Sequence, residues 1–417
     1  MRIGILPSLS RHSGGIYQYS MNLLRGLRAW SEGRLAGVDS CSDEFLIFAH
    51  ETSDEILKPY SSGAWSIKPF RPRGTPAPST PRPQSTNPNV IQTQPEMNDW
   101  LRECGVDLML YAWPHRLSFE TEIPYVMAIH DVQHRLQPEF EEVSADGEWE
   151  RREYLFQNGA RHATLLLADS ETGKDDILNC YGEFGVNPDQ IKVLPFVGAL
   201  TIDAEGARRH RERVARQFKL PARYLFYPAQ FWPHKNHLRI VEALGQLRRD
   251  GLDISLVLSG SATGNLREKT HRQVLDRAAA LGIQDHLISL GYISDKDVAG
   301  LYAGAQAMVM PTFFGPTNIP VLEAWSLDCP VLTSDIRGIR EQAGDAALLV
   351  DPQSVHAIAE GIRSLWLNVL LRQELIDKGK RRLSLYGRDD HDRRLIEIVQ
   401  EAKNRLLDPL RDTVARG

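Results

Sequence analysis

Cysteine and long apolar runs are what this chain most clearly lacks. Its 417 residues include 4 cysteines, which stand far apart and form no C-x-x-C pair. That spacing argues against a disulfide framework and against a zinc site, so we expect reduced thiols and no bound metal. No stretch approaches the ~20 apolar residues of a membrane-spanning helix, and the apolar run at the N-terminus is too short for a signal peptide. We therefore expect a cytoplasmic protein, either free or resting peripherally on the inner face of a membrane.

An excess of positive charge is also missing. Lysine and arginine total 49 against 54 aspartate and glutamate residues, which gives a net charge of -5. Because binding to a phosphate backbone requires a basic surface, this charge argues against nucleic acid as the main partner, although it leaves room for a local basic patch. The apolar fraction of 42% and the charged fraction of 25% are typical of a globular protein. A chain of this length predicts two domains of roughly 200 residues each.

What the sequence does contain is a repeated alternation of β-rich runs, polar loops and helical patterns. The run RIGILPS leads through a loop with Gly14 and Gly15 into the helical pattern IYQYSMNLLRGLRAW. That order opens a nucleotide-type α/β domain, and paired glycines let a backbone approach a phosphate or sugar closely. An ordinary structural turn is the alternative. The later strand pattern YVMAIHD ends in His130 and Asp131. The carboxyl end of a parallel strand faces the ligand crevice, which favours a functional role for His130, and a structural histidine is the alternative.

Two stretches of unusual composition indicate how the chain is divided into domains. From Arg71 to Pro95 the sequence is dense in proline, serine, threonine and asparagine, which predicts a long mobile loop inside the first domain, either functional or an inert insertion. A polar basic segment follows the strand pattern IKVLPFVG, and a second set of α/β units begins after it. The predicted parts are an N-terminal Rossmann-like domain at 1–203, a C-terminal Rossmann-like domain at 204–385, and a helical segment at 386–417 that returns to the first domain.

The stretch PTFFGPTNIPVLE, residues 311–323, is the most informative in the chain. It follows the buried strand pattern AQAMVM and leads into a helical pattern with Glu323 on its first turn. Gly315 and the prolines and asparagine around it turn the backbone sharply and leave amide N–H groups pointing outward at the helix N-terminus, which predicts an anion site. An ordinary βα turn is the alternative. In an earlier strand-loop-helix unit, Lys235 is placed to meet a phosphate as a point charge.

From about residue 223 to residue 364 these motifs resemble the retaining glycosyltransferases of family 4. The family's R-x4-K loop is similar to PAQFWPHKN, with Lys235 at the lysine and Gln230 where arginine is usual. The segment LGYISDKDVAGLYAGAQ, which contains Tyr292 and Ile293, resembles another family segment. The family's E-G-F-G-L-P-x-L-E signature is similar to GPTNIPVLE, in which Glu323 falls on the second glutamate and Gly315 falls on the first. The first half resembles the family more loosely, through SGGIYQYSMNLL, AIHDVQHRLQPEF and LLLADSETGKDDI.

The resemblance implies an α/β protein of the GT-B fold, with two Rossmann-like doubly wound domains facing across a cleft. The C-terminal domain would hold a nucleotide-diphosphate sugar, a GDP- or UDP-hexose, and the N-terminal domain would hold a saccharide or lipid-linked glycan acceptor. The implied reaction is a retaining, mannosyltransferase-like hexosyl transfer in polysaccharide or glycan biosynthesis, with no metal or other cofactor. An NDP-sugar epimerase of related fold and a non-catalytic sugar-nucleotide-binding protein are the alternatives.

Roles for single residues also follow from the resemblance. His130 would sit by the transferring sugar, and Lys235 would neutralise the leaving diphosphate together with the amides of residues 317–319. Glu323 would accept hydrogen bonds from the ribose hydroxyls. The implied donor-binding residues are Gly14, Gly15, Gln230, Lys235, Tyr292, Ile293, Gly315, Thr317, Asn318, Ile319 and Glu323.

Overall fold

The structure is a computed structural model that describes residues 1–10, 13–49, 54–70, 86–198 and 203–407. Within those residues the chain divides into two compact units. Unit 1 comprises residues 1–139 and 143–196 and the segment from residue 388 onward, and unit 2 comprises residues 140–142 and 197–387. Unit 2 thus begins a few residues ahead of position 204, where the sequence places the second domain.

Each unit is built on a parallel β-sheet. The strands of unit 1 are β1 (Arg2–Leu6), β2 (Glu44–Ala49), β3 (Trp65–Pro69), β4 (Leu108–Tyr111), β5 (Tyr125–Ala128), β6 (Leu165–Ala168) and β7 (Ile191–Val193). The strands of unit 2 are β8 (Leu225–Pro228), β9 (Leu256–Ser259), β10 (Leu287–Ser289), β11 (Ala307–Met310), β12 (Val331–Ser334) and β13 (Leu348–Val350).

The α-helices alternate with these strands along most of the chain. None of the helices in the described ranges is long and apolar enough to cross a membrane. They are α1 (Gly15–Ser31), α2 (Asp54–Leu57), α3 (Pro95–Glu103), α4 (Leu117–Glu120), α5 (Gln133–Leu136), α6 (Glu141–Ser144), α7 (Glu148–His162), α8 (Glu171–Tyr181), α9 (Ala204–Gln217), α10 (His237–Arg249), α11 (Asn265–Ala280), α12 (Asp295–Gly304), α13 (Ile319–Ser326), α14 (Arg337–Ala343), α15 (Val355–Leu367), α16 (Val369–Ser384) and α17 (Arg388–Leu407).

The strand order places one switch point in each sheet. Unit 1 has the order β3-β2-β1-β4-β5-β6-β7, and unit 2 has the order β10-β9-β8-β11-β12-β13. The first strand of each sheet therefore pairs with a neighbour on both sides, β1 with β2 and β4, and β8 with β9 and β11. The chain runs from β1 to β2 on one side and from β4 to β5 on the other, and in the same way from β8 to β9 and from β11 to β12. In open α/β sheets a ligand crevice lies at the carboxyl ends of such a pair of strands, here β1 and β4 in unit 1 and β8 and β11 in unit 2.

Apolar residues of β1 face both sides of its sheet, as expected for a strand covered on both faces. Ile3 and Ile5 pack into a cluster with α1 and α17, whereas Leu6 packs into a cluster on the other face. Helices α1 and α17 approach so closely that a Cβ on Gly26 would lie 2.7 Å from Asp392 Oδ1. The last helix is therefore part of the core of unit 1.

Most of the predicted Arg71 to Pro95 loop, residues 71–85, lies outside the described residues. Residues 86–94 form neither helix nor strand. Helix α3 begins at Pro95, a position that suits proline because the first helical N–H would have no partner within the helix. The mobility of this loop stays a prediction.

Candidate active site

Two loops meet at the switch point of unit 2, one following β8 and the other following β11. Asn236 Nδ2 donates hydrogen bonds to the carbonyl oxygens of Pro311 and Pro352, each at 2.8 Å. The carbonyl oxygen of His234 accepts from the Phe313 N–H at 2.8 Å. Because backbone and side-chain bonds join the two loops, they form one fixed surface at the carboxyl ends of β8 and β11.

The backbone around Lys235 is held independently of its side chain. The Tyr227 hydroxyl donates to the Lys235 carbonyl oxygen at 2.8 Å. The next residue, Asn236, has a left-handed backbone (φ 61), a conformation that asparagine adopts more readily than most residues. The sequence thus places a partly buried lysine side chain on a rigid turn at the switch point. An ammonium group in this position can meet an anion as a point charge.

Gly315 adopts a backbone conformation that disfavours any other residue. Its φ is 111, and a Cβ there would lie 2.8 Å from Asn318 Nδ2 and 3.0 Å from the Thr317 carbonyl oxygen. The loop is therefore closed on itself at the position where the sequence signature has its first glutamate. This geometry gives a physical reason for the departure, since a glutamate at residue 315 could not keep the loop in its present shape.

The backbone N–H of Asn318 already donates a hydrogen bond within the protein. It donates to Gln342 Oε1 at 2.9 Å, and Gln342 Nε2 donates back to the Asn318 carbonyl oxygen at 2.9 Å. The expectation that this amide points outward to an anion is therefore wrong. In contrast, Asn318 Nδ2 and Thr317 Oγ1 are buried with no hydrogen-bond partner among the described residues. A buried polar group without a partner typically costs about 1–3 kcal/mol, so a ligand that bonds these two groups would be favoured.

Glu323 lies in the second turn of α13, because the helix begins at Ile319 with Pro320 in its first turn. The expectation of a first-turn carboxylate is wrong for that reason. Glu323 is buried, and the Tyr302 hydroxyl donates to its Oε2 at 3.3 Å. Burial, and then the neighbouring Glu323 carboxylate, hold the pKa of Tyr302 well above its ordinary value, so the phenol remains a donor. The same hydroxyl lies 3.2 Å from the Pro320 carbonyl oxygen, so Tyr302 holds the start of α13 as well as the carboxylate.

The loop after β9 contacts the loops after both neighbouring strands, β8 and β10. A Cβ on Gly260 would lie 2.3 Å from the Ala229 carbonyl oxygen, so the loops after β8 and β9 are in backbone contact. The Gly260 N–H donates to the Gly291 carbonyl oxygen at 2.9 Å, which extends the contact to the loop after β10. Tyr292 in that loop is 50% exposed, whereas Ile293 packs against the core. Both residues follow β10, which lies two strands away from β8 in the sheet.

Gln230 is the second residue after β8, and its side-chain oxygen accepts two hydrogen bonds. Arg267 Nη1 donates to Gln230 Oε1 at 2.7 Å, and Trp232 Nε1 donates to the same oxygen at 3.0 Å. Gln230 therefore organises the start of the loop that carries Lys235.

Residues 140–142 belong to unit 2, although the chain on both sides belongs to unit 1. Glu142 Oε1 accepts from the backbone N–H of His234 at 2.9 Å and lies 2.6 Å from His234 Nδ1. Burial would raise the pKa of Glu142, but the hydrogen bonds from His234 hold it below its usual range. The ring of His234 stacks on Phe314 with centroids 4.2 Å apart. A carboxylate thus fixes the residue next to Lys235.

In unit 1, His130 ties three strand ends together. Its Nδ1 lies 3.1 and 3.2 Å from the two carboxylate oxygens of Asp169, which follows β6, and its Nε2 lies 2.9 Å from the carbonyl oxygen of Ala112, which follows β4. A carbonyl can only accept, so Nε2 carries a proton. Both ring nitrogens are therefore engaged by protein groups, and this geometry leaves neither nitrogen to take a proton from a substrate.

The charge state of His130 follows from these contacts. Burial alone would lower its pKa, but the Asp169 carboxylate and the Ala112 carbonyl raise it above the ordinary value of 6.5. The Tyr19 ring meets the imidazole edge-on with centroids 4.6 Å apart. Tyr19 stands on the first turns of α1, which begins at Gly15 after Gly14 with φ 58. The glycine loop and His130 are thus at the same edge of the unit 1 sheet.

Sequence reasoning missed several residues of these sites, among them Asp169, Tyr302, Glu142 and Gln342. Asp169 carries a usable signal, since it directly follows a buried strand pattern as His130 does. Tyr302 lies in a segment that the family resemblance covers. Glu142 and Gln342 carry no local signal, because their partners are 92 and 24 residues away in the sequence. Among the described residues, no group of three or more His, Cys, Asp or Glu side chains is arranged to hold a metal ion.

Comparison with known proteins relates the second half of the chain to sugar-transferring enzymes. Residues 209–382 match the family described as Glycosyl transferases group 1. O-antigen chain mannosyltransferase B of Escherichia coli is 32% identical over 140 residues, which cover 33% of this chain and 35% of that protein. The MMP alpha-(1->4)-mannosyltransferase of Mycolicibacterium hassiacum is 27% identical over 228 residues, 54% of this chain and 50% of that protein. The chain therefore spans a third to a half of the length of these relatives.

Solved structures match nearly the whole chain. The Anabaena protein HepE in complex with UDP and glucose superposes with a TM-score of 0.69 at 16% identity, covering 96% of this chain and 99% of that one. A glycosyltransferase of Rickettsia africae superposes with a TM-score of 0.67 at 15% identity, covering 96% and 98%. The expectation of a GT-B fold is confirmed. Residues 209–382 all lie in unit 2, so that unit carries the sequence similarity to the group 1 glycosyl transferases.

Proposed function

We propose that this protein is a retaining glycosyltransferase of family 4 that moves a hexose from a nucleotide-diphosphate sugar to a saccharide or lipid-linked glycan acceptor. The observation that carries the proposal is the surface at the switch point of unit 2. There a rigidly held Lys235, a buried Glu323 and the unpartnered polar atoms of Thr317 and Asn318 lie on joined or neighbouring elements. This set offers a cation, an acceptor and neutral hydrogen-bonding groups to one ligand.

The parts of a nucleotide-sugar match these groups by chemistry. The diphosphate is the anion that Lys235 would neutralise, and the ribose hydroxyls would donate to Glu323. Asn318 Nδ2 and Thr317 Oγ1 would bond hydroxyls of the sugar without adding charge. The other residues of unit 2 that we propose for the donor site are Gln230, Tyr292, Ile293, Gly315 and Ile319.

The reaction requires stabilisation of negative charge on the leaving diphosphate. In the proposed step the acceptor hydroxyl attacks the anomeric carbon from the face that the diphosphate leaves, and the bond to the diphosphate oxygen breaks. The hydroxyl proton passes to the departing phosphate oxygen, so no enzyme carboxylate forms a covalent bond. Lys235 would supply the charge stabilisation without a metal ion, since a fixed cation aimed at developing charge is often the largest single catalytic contribution.

Unit 1 would hold the acceptor, in the cytoplasm or at the inner face of a membrane. The names of two relatives, an O-antigen chain mannosyltransferase and an MMP mannosyltransferase, support a hexosyl donor of the mannose type. The complex of HepE with UDP and glucose supports a uridine donor instead. GDP- and UDP-hexoses are therefore the donors to test first.

A panel of UDP-, GDP- and dTDP-sugars tests the proposal by thermal shift. A ligand that binds only the folded protein at 100 times its Kd stabilises it by about 2.7 kcal/mol, so a true donor should raise the Tm by several degrees. The responding donor is then incubated with and without saccharide acceptors, and products are separated by mass and anomeric configuration. Transfer with retention supports the proposal. A changed sugar without transfer would identify an epimerase, and binding without turnover would identify a binding protein.

The glycine at position 315 gives a prediction for the donor loop. Gly315→Ala should lower both stability and donor affinity, because a Cβ there displaces Asn318 and the backbone is unfavourable for side chains. We expect a loss of about 1–3 kcal/mol in unfolding free energy. Gly315→Glu should lose at least as much and should either block the donor or change its preferred sugar.

The matched control for that variant is Gly282→Ala. Gly282 also has a positive φ (67), but nothing lies within 4 Å of a Cβ added there. It therefore reports backbone strain without the clash. Equal donor affinity in Gly315→Ala and Gly282→Ala would show that the Gly315 loop does not shape the donor site.

A further inference from the structure

Arg267 is a cation that the described structure leaves without an acidic partner. It stands on the first turn of α11 and is partly buried. Its Nη1 donates to the neutral Gln230 Oε1 at 2.7 Å, and its guanidinium lies 4.7 Å from the centre of the Trp232 ring. Among the described residues it makes no ion pair with a carboxylate, whereas the nearby Lys269 pairs with Glu141 at 2.8 Å. Its charge is held in place without being neutralised.

The fold brings this guanidinium to the loop that carries Lys235. The backbone contact between Gly260 and Ala229 lays the start of the β9–α11 connection against the end of β8. At the other end of that connection, a Cβ on Gly264 would lie 3.3 Å from Arg267 Nη2, so a glycine leaves room for the guanidinium. Gln230 and Trp232 then bind it from the β8 side. The loops after β8 and β9 therefore together fix the position of the Arg267 guanidinium.

We propose that Arg267 is a second diphosphate-binding cation of this enzyme, positioned by Gln230 and Trp232 beside the Lys235 loop. This rests on the proposed function, because it names a further contact of the same donor. A guanidinium presents several N–H groups in one plane and binds two phosphate oxygens at once, whereas an ammonium acts as a point charge. Arg267 and Lys235 would thus hold the diphosphate through different geometry. Gln230 acts as a positioning residue, since its side-chain oxygen faces the cation and carries no charge.

Affinities for UDP, GDP, uridine and guanosine test the proposal. In Arg267→Gln the Kd for the nucleoside diphosphate that the wild type binds should rise roughly 10- to 100-fold, the scale of losing one hydrogen bond to a charged group. The Kd for the matching nucleoside should not change, because it has no phosphate. Arg267→Lys should recover only part of the loss. The control Arg272→Gln removes an exposed arginine on the same helix and should leave every Kd unchanged.

A charge relocation separates phosphate binding from a structural role. The double variant Gln230→Arg, Arg267→Gln exchanges the two side chains, so one guanidinium remains at this pair of positions, and it should bind the diphosphate more tightly than Arg267→Gln alone. A lack of recovery, or an equal loss of affinity for nucleoside and nucleoside diphosphate in Arg267→Gln, would overturn the proposal. If wild-type protein bound neither UDP nor GDP, the proposed function itself would fail as well.

Discussion

Replacing Lys235 by alanine should lower the turnover of the nucleotide-sugar by about two to three orders of magnitude, the scale of removing one charge-stabilising group. The loss should appear in kcat as well as in kcat/KM, because the negative charge on the diphosphate grows as its bond to the sugar breaks. The fold should survive the change. Tyr227 and Asn236 hold the turn through the backbone and through the Asn236 side chain, and neither contact uses the lysine ammonium.

The comparison for Lys235→Ala is Lys296→Ala, which removes an exposed lysine on α12. Single-turnover kinetics with the donor identified by thermal shift measure both variants, and their Tm values check folding. Lys235→Arg should restore part of the rate, since it returns a positive charge with different geometry. Near-normal turnover in a folded Lys235→Ala protein would remove this residue from the mechanism.

Replacing His130 by alanine should cost about 3 kcal/mol of unfolding free energy, because it leaves the buried Asp169 carboxylate without its partner. That figure is the lower end of the range for breaking a buried ion pair, since the imidazole retains 18% exposure while Asp169 retains 1%. Asp169→Asn should also destabilise the protein. Nucleoside diphosphate affinity should stay close to wild type, because the diphosphate-binding cations of the proposal belong to unit 2. His162→Ala, at an exposed histidine, is the control.

The same pair gives a pH dependence with a definite sign. The pKa of His130 is raised above 6.5 in the folded protein. The stability it contributes should therefore be fully present below pH 6.5 and should be lost as the pH rises through the raised pKa. The stability difference between wild type and His130→Ala, measured by urea unfolding at several pH values, should shrink in that direction. Unchanged stability with a large loss of turnover would instead favour a direct role for His130 at the sugar.

The positions of the loops could be predicted from the sequence, and their internal contacts could not. Strand patterns that lead into the loops carrying Lys235, Gly315 and His130 place those loops at the carboxyl ends of parallel strands, whatever surrounds them. The partner of a side chain depends instead on which distant element packs there. Gln342 of α14 bonds Asn318, and Arg267 of α11 bonds Gln230. Because each pair joins two elements that are distant in the sequence, no local pattern predicts either contact.

Glu323 shows how a small error in an element boundary changes the chemistry expected of a residue. A helix that began at Val321 would carry this carboxylate on its first turn, close to the free N–H groups. Pro320 lets the helix begin two residues earlier, since proline suits the first turn. Glu323 then lies deeper along the helix and meets the Tyr302 hydroxyl.

The contribution of α17 to the core of unit 1 bears on the order in which the chain folds during synthesis. Leu395, Ile396 and Val399 of α17 share one apolar cluster with residues of β1 and α1. This helix emerges from the ribosome after the continuous segment of unit 2, which is complete at residue 387. We expect the nascent chain to form unit 2 while the N-terminal sheet still exposes the apolar face of α1. A chaperone that binds such faces should therefore associate with N-terminal segments on stalled chains ending before α17, and release once that helix has emerged.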